Sequence, residues 1–129
     1  MFQSLIIIIS CILIEHVSRI LLSDFIEITY NSGAAFGLLK SVPELTLILS
    51  IIACLIIFCV IIFAKLNKIS KIGLSIMLGG AISNLIERIF FGHVIDWIPF
   101  LFCDLNFNLA DVEISLGAFI AFVFSVLLH

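Results

Sequence analysis

Long apolar runs separated by short polar breaks organise this chain from end to end. The cleanest, from Leu45 to Ala64, has neither charge nor proline, and only Thr46, Ser50, Cys54 and Cys59 interrupt it. A helix needs about 20 mainly apolar residues to cross a hydrocarbon core ~30 Å thick. The run therefore predicts a membrane-spanning helix over 45–64. Runs over 72–89 and 109–128 predict two more. The former is thinned by Gly79, Gly80 and Ser83 and closes on Glu87 and Arg88, while the latter opens on Asp111 and Glu113. A first run over 2–22 is apolar in its first half and carries Glu15, His16 and Arg19 in its second. The pattern predicts an all-α membrane protein, one unit over residues 1–129, of four transmembrane helices with short connecting segments.

Composition leaves little room for a soluble alternative: of 129 residues, 64% are apolar and 12% charged, with a mean hydropathy of +1.40. Soluble domains average ~45–50% apolar, and a core of this size cannot hide such an excess from water. The net charge of −3, without a basic patch, gives no reason to expect nucleic acid. The run from Leu5 to Ile14 has the outline of a removable signal, but no Lys or Arg precedes it, so the first helix is expected to be retained.

Positive charge orients the helices. Lys65, Lys68 and Lys71 fall between the second and third, and Lys and Arg in short loops are held on the cytoplasmic side. Both termini are then expected inside, with segments 23–44 and 90–108 outside. Those outer segments hold Asp24, Glu27, Glu44, Asp96 and Asp104 against Lys40 alone.

Cys11, Cys54 and Cys59 lie within apolar runs and Cys103 stands apart in the second outer segment, with no C-x-x-C spacing. They are expected to act as small apolar filler. His16, His93 and His129 show no metal-ligand spacing, and no metal is expected.

The polar residues carry the chemistry, because an ionisable side chain at the bilayer centre costs ~2.5–3.5 kcal/mol on insertion scales. Asn84 and Arg88, spaced i, i+4, share a face at the outer end of the third helix, beside Glu87. Asn108 and Asp111, spaced i, i+3, share one at the outer start of the fourth. Asp96 lies between them in Gly92-His93-Val94-Ile95-Asp96-Trp97-Ile98, so all reach one interface. Ordinary roles exist for some: Glu113 favours the positive end of a helix, Arg88 could snorkel to headgroups, and Trp97 is expected to be an interfacial anchor. Asp96 and Asp111 together ask for more. Two carboxylates at one depth suit acid–base hydrolysis of a peptide, one ionised to activate water and one protonated to polarise the carbonyl.

Four segments combine these residues into a pattern: Asn31-Ser32-Gly33-Ala34-Ala35-Phe36, Gly79-Gly80-Ala81-Ile82-Ser83-Asn84-Leu85-Ile86-Glu87-Arg88, Gly92-His93-Val94-Ile95-Asp96, and Phe107-Asn108-Leu109-Ala110-Asp111. In order and spacing the chain resembles the bacterial lipoprotein signal peptidases, or type II signal peptidases, over nearly its whole length. The resemblance implies a four-span aspartyl endopeptidase with a small extracytoplasmic β-cradle. Such an enzyme removes the signal peptide from prolipoproteins, cutting just before a cysteine that already carries diacylglycerol. It implies catalytic roles for Asp96 and Asp111, and supporting or substrate-binding roles for Asn31, Asn84, Arg88 and Asn108. Gly33, Ala34 and Ala35 would leave room for the substrate backbone. No cofactor is implied. The expected partners are lipidated prolipoprotein signal peptides and membrane lipid, not nucleic acid. The expected state is a monomer in the bacterial cytoplasmic (inner) membrane, multi-pass, with the active site at the outer face.

The chain departs from the family where Asp is usual near the end of the first helix, followed four residues on by Lys. Here Glu15 and Arg19 keep the charges and the spacing but change reach and geometry. Glu87 likewise stands where the family's Asn-x-x-Asp-Arg motif has Asp. The segment between Arg19 and Asn31 is shorter than usual, which implies a smaller cradle. The competing expectation is a small non-enzymatic membrane protein, a transporter or ion-path component using Asp96, Asp111 and Arg88. Such a path should continue across the membrane, yet the second helix is fully apolar and the inner halves of the third and fourth lack ionisable groups.

Overall fold

The computed structural model describes residues 1–34, 38–102 and 104–128. Ala35, with its proposed place beside the substrate, and the readings of Phe36, Cys103 and His129 lie outside the described residues. The elements run α1 (Phe2–Leu22), β1 (Thr29–Asn31), α2 (Pro43–Phe63), α3 (Lys68–Phe91), β2 (Val94–Asp96), β3 (Ile98–Pro99), β4 (Asn106–Phe107) and α4 (Leu109–Leu127). All four helices are long and apolar enough to cross a membrane.

Helix ends fall where local chemistry puts them. Pro43 opens α2 at its first turn, where a missing N–H costs nothing. The third helix begins at Lys68, four residues ahead of the predicted 72, because the Asn67 side chain accepts the Ser70 N–H at 2.8 Å and caps it. Lys68 and Lys71 therefore sit in the first turn of α3 rather than in the loop that precedes it. The helix runs on to Phe91 and stops at Gly92, whose φ of 77° is the left-handed conformation that suits glycine after a helix.

Helix α3 is the hub. It packs against α1, α2 and α4, whereas α2 leans chiefly on α3. Accordingly 44% of α3's most apolar stretch is buried against 17% of α2's, so the outer faces of α1, α2 and α4 are left for lipid. Gly79 and Gly80, which thin the apolar pattern in sequence, make this packing close. A Cβ on Gly79 would lie 2.5 Å from Cys11 Cβ of α1, and one on Gly80 2.5 Å from the Ala110 carbonyl of α4. Cys54, Ile57 and Ile61 of α2 meet Leu78 of α3 in the apolar core.

Above one end of the bundle the connecting segments form two small antiparallel ladders, the expected cradle. Strand β1 pairs with β2 in the register Thr29↔Asp96, Tyr30↔Ile95, Asn31↔Val94, and β3 pairs with β4 through Ile98↔Phe107 and Pro99↔Asn106. The Asn106 amide donates to Thr29 Oγ1 at 3.2 Å, and that hydroxyl donates to the Asp96 carbonyl at 3.3 Å, joining the ladders.

Candidate active site

Asp96 closes β2 and Asp111 stands in the first turn of α4, so two unrelated segments must meet for the pair to act together. The meeting is built by amides. Asn108 caps α4 reciprocally: its Oδ1 accepts the Asp111 N–H at 2.9 Å, while Asp111 Oδ2 accepts the Asn108 N–H at 3.1 Å. The Asn108 amide nitrogen also donates to Asp96 Oδ1 at 3.2 Å and to Asn84 Oδ1 at 2.9 Å. Asn84, from α3, donates in turn to Asp111 Oδ1 at 3.1 Å. The i, i+3 cap motif thus becomes the bridge between both carboxylates, and Asn84 closes the circuit.

Electrostatics single out Asp96. Burial, followed by the negative charge of Asp111, pushes the Asp96 carboxyl from its usual range up to about 7, against the lowering effects of Asn31 and Arg88. Asp111 accepts hydrogen bonds on both oxygens, the placement that suits an acceptor-only carboxylate. A carboxyl held protonated near neutrality beside a hydrogen-bonded carboxylate is an arrangement that suits acid–base chemistry.

The cluster forms the polar end of a cavity of about 680 Å³ between α2, α3 and α4. Asn31, Ala34, Asn84, Arg88, Asp96 and Asp111 line that end, and Leu49, Ala53, Ile57, Met77 and Ala81 continue it as an apolar trough. The space exists because α2 and α4 both pack on α3 without comparable packing on each other.

Arg88 does not reach outward to headgroups. Its Nη2 donates to the Gly33 carbonyl at 3.0 Å, fastening the 31–34 turn over the cavity. Asn31 organises that turn, accepting the Gly33 N–H at 2.9 Å and donating to the Ala34 carbonyl at 3.3 Å. Gly33 is packed closely against the chain's own loop. A Cβ there would lie 2.9 Å from the Lys40 backbone nitrogen, so its smallness serves the chain's own loop.

Glu15 and Arg19 do not line the cavity. Glu15 is 1% exposed and takes the Trp97 indole N–H at 2.9 Å on one oxygen and the Ala110 N–H at 3.0 Å on the other. Arg19 pairs with Glu87 at 3.0 Å, and Glu87's second oxygen accepts the Ile95 N–H at 2.7 Å. Trp97 is therefore no interfacial anchor: it is 7% exposed because its N–H is satisfied inside the protein. Glu113 is also buried, facing Cys11 and Glu15 across the α1–α4 contact instead of simply completing a helix end. Sequence reading missed the Trp97–Glu15 bond because 82 positions separate its partners. The only forewarning was that both are polar groups in an apolar chain.

Fold and site together define a multi-pass membrane protein whose polar site sits at the end of an apolar cleft open between helices. The chain belongs to the signal peptidase II family, and so to a family of membrane peptidases: the family model for signal peptidase (SPase) II matches residues 4–127. A lipoprotein signal peptidase of Clostridium tetani is 37% identical over 114 residues, 83% of this chain and 73% of that protein. That of Caldanaerobacter subterraneus is 36% identical over 101 residues, 77% of this chain and 70% of the relative. Two solved bacterial membrane enzymes share the fold. One superposes with a TM-score of 0.85 at 22% identity, covering 99% of this chain and 88% of its own. The other has a TM-score of 0.82 at 21% identity, with 95% and 92% covered.

Proposed function

We propose that this protein is an aspartic endopeptidase that removes the signal peptide from diacylglyceryl-modified prolipoproteins, cutting just before the lipidated cysteine. Its catalytic pair is Asp96 and Asp111. The observation that carries the reading is the Asn84–Asn108 bridge, which joins the two carboxylates at the polar end of an apolar cavity.

Asp96, whose carboxyl is pushed up to about 7, holds the proton and hydrogen-bonds the scissile carbonyl. Asp111 accepts a proton from water as that water attacks. The tetrahedral intermediate collapses when the leaving nitrogen is protonated by the pair. General acid–base assistance of this kind contributes roughly 10²–10⁴-fold, and holding the chain in register adds to it. Arg88 and Asn31 fix the turn beside which an extended substrate would lie. The trough lined by Leu49, Ile57 and Met77 suits an apolar signal helix, and its lipid can stay in the bilayer. Lys65, Lys68 and Lys71 favour a cytoplasmic inner end, with both termini inside and the site at the outer face of the bacterial inner membrane. One chain supplies every residue named, so a monomer suffices, and no step calls for a cofactor.

An ion path would need polar groups continuing from the cluster through the bundle. The trough beyond Asn84 is instead lined mainly by apolar side chains.

Asp96→Asn and Asp111→Asn should each abolish conversion of a diacylglyceryl-modified precursor by purified protein while leaving it folded. The double variant should be scarcely worse than either single one, as groups that act as a unit are non-additive. Turnover near the unmodified rate in either single variant would end the aspartic mechanism.

A further inference from the structure

The bridge of Asn84 and Asn108 holds the aspartates from the cavity side, but amides on flexible stems do not by themselves fix the segments that carry Asp96 and Asp111. The rear of the site is held differently. The indole N–H of Trp97, one residue after Asp96, and the backbone N–H of Ala110, one residue before Asp111, converge on the two oxygens of Glu15. Glu15, Ala110 and Trp97 are all buried, so neither bond competes with water. The packing leaves no slack: a Cβ on Gly80 would meet the Ala110 carbonyl, and one on Gly79 would meet Cys11, one turn before Glu15. Helix α1 is thus pressed against α3 at the depth where its carboxylate reaches both segments. Glu87 completes the rear support, holding the Ile95 N–H on the other side of Asp96 while Arg19 pairs with its free oxygen.

We propose that Glu15 is a positioning residue that sets the separation of the catalytic aspartates, by clamping the segments after Asp96 and before Asp111 onto one carboxylate of α1. The inference rests on Asp96 and Asp111 being the catalytic pair. It gives α1, which contributes nothing to the cavity lining, a direct part in the geometry of the reaction. Glu15 spans from α1 to both an indole and the start of α4. Only acceptors are wanted there, since both partners donate, so a glutamine of equal length offers one acceptor where two are needed.

The experiment measures kcat, KM and the pH profile of cleavage for the full chain in detergent, with the melting transition and the emission of Trp97, the chain's only tryptophan. Glu15→Gln should lower kcat roughly 10–100-fold, the scale of loss from an ångström of misplacement, with KM within about twofold. The alkaline limb should shift, because Asp96 faces Asp111 of α4 and Glu87 and Arg88 of α3, and its coupling to Asp111 depends on their separation. Around Glu15 itself the charged groups are Glu87 of α3 and Glu113 of α4. Trp97 emission should change as the indole loses its carboxylate partner. Glu15→Asp, with two acceptors on a shorter stem, should recover part of the rate.

Trp97→Phe removes one donor and keeps the ring, so it serves if Glu15→Gln does not fold: a several-fold loss of kcat with a shifted limb is expected. Combined with Glu15→Gln it should cost little more than Glu15→Gln alone, because both remove the same bond. Unchanged kcat and pH profile per folded molecule in Glu15→Gln, or in Trp97→Phe where the former fails to fold, would overturn the inference, whatever happens to the melting temperature. The Asp96→Asn and Asp111→Asn controls separate the two readings. If they retain cleavage, the catalytic pair itself is wrong. If they abolish it while Glu15→Gln behaves as the unmodified protein, only the role of Glu15 is.

Discussion

At the scale of single residues, Asp96 carries the sharpest consequence. In the proposed mechanism Asp96 acts in its protonated form, and with its carboxyl pushed up to about 7, kcat/KM is expected to fall as pH rises through about 7. The same shift bears on stability. The folded chain holds this proton more tightly than the unfolded chain, so Asp96 contributes least at alkaline pH, and its stabilisation is lost between the ordinary carboxylate range and about 7. Asp96→Asn should therefore melt several degrees above the unmodified protein at pH 8, with the difference shrinking toward pH 4. Thermal melts in detergent across that range check it, and a difference independent of pH would contradict the burial of a titrating acid.

Arg88 belongs to the same scale. Its guanidinium holds the Gly33 carbonyl and faces both aspartates. Arg88→Leu should lower the melting temperature and cleavage together, since it leaves a buried carbonyl and two acids without their cation. Full stability and turnover in that variant would show the turn at 31–34 to be held by other means.

Elements place those residues, and here the caps matter most. Asn67 and Asn108 are both helix N-caps, but only Asn108 also bridges the aspartates. Replacing either with Ala should cost about 0.5–2 kcal/mol of stability. Asn108→Ala should in addition depress kcat strongly, whereas Asn67→Ala should leave kcat per folded molecule near normal. Equal kinetics in the two variants would reduce Asn108 to a cap. Gly80 tests the helix contact: Gly80→Leu has no room against the Ala110 backbone and should push α4 from α3, lowering both melting temperature and rate.

The whole molecule decides what the cavity opens to and which way it faces. Because α2 and α4 each lean on α3, a cleft remains between them through which a membrane-embedded segment could enter without leaving lipid. The proposed orientation rests on the lysines around the α2–α3 connection. A membrane-impermeant thiol reagent should label a cysteine placed at Ser41 or Asp104, but not one at Asn67, in intact cells carrying a variant without the native thiols. The reverse pattern would turn the site toward the cytoplasm.

The sequence by itself determined the class of the molecule and the kinds of residue at its site. Four apolar runs of spanning length are a one-dimensional property of solvent preference, so their number and approximate limits needed no contacts. Asn84 with Arg88, and Asn108 with Asp111, were legible because helical spacing fixes which residues share a face. Tertiary structure alone decided the rest. Nothing local says that Glu15 will meet Trp97 and Ala110, that Arg19 will neutralise Glu87, or that Gly33 will be packed beneath its own loop. Those outcomes depend on α1, α3 and α4 closing over two glycines to a distance at which buried donors and acceptors must find one another, because lipid offers them no other partner.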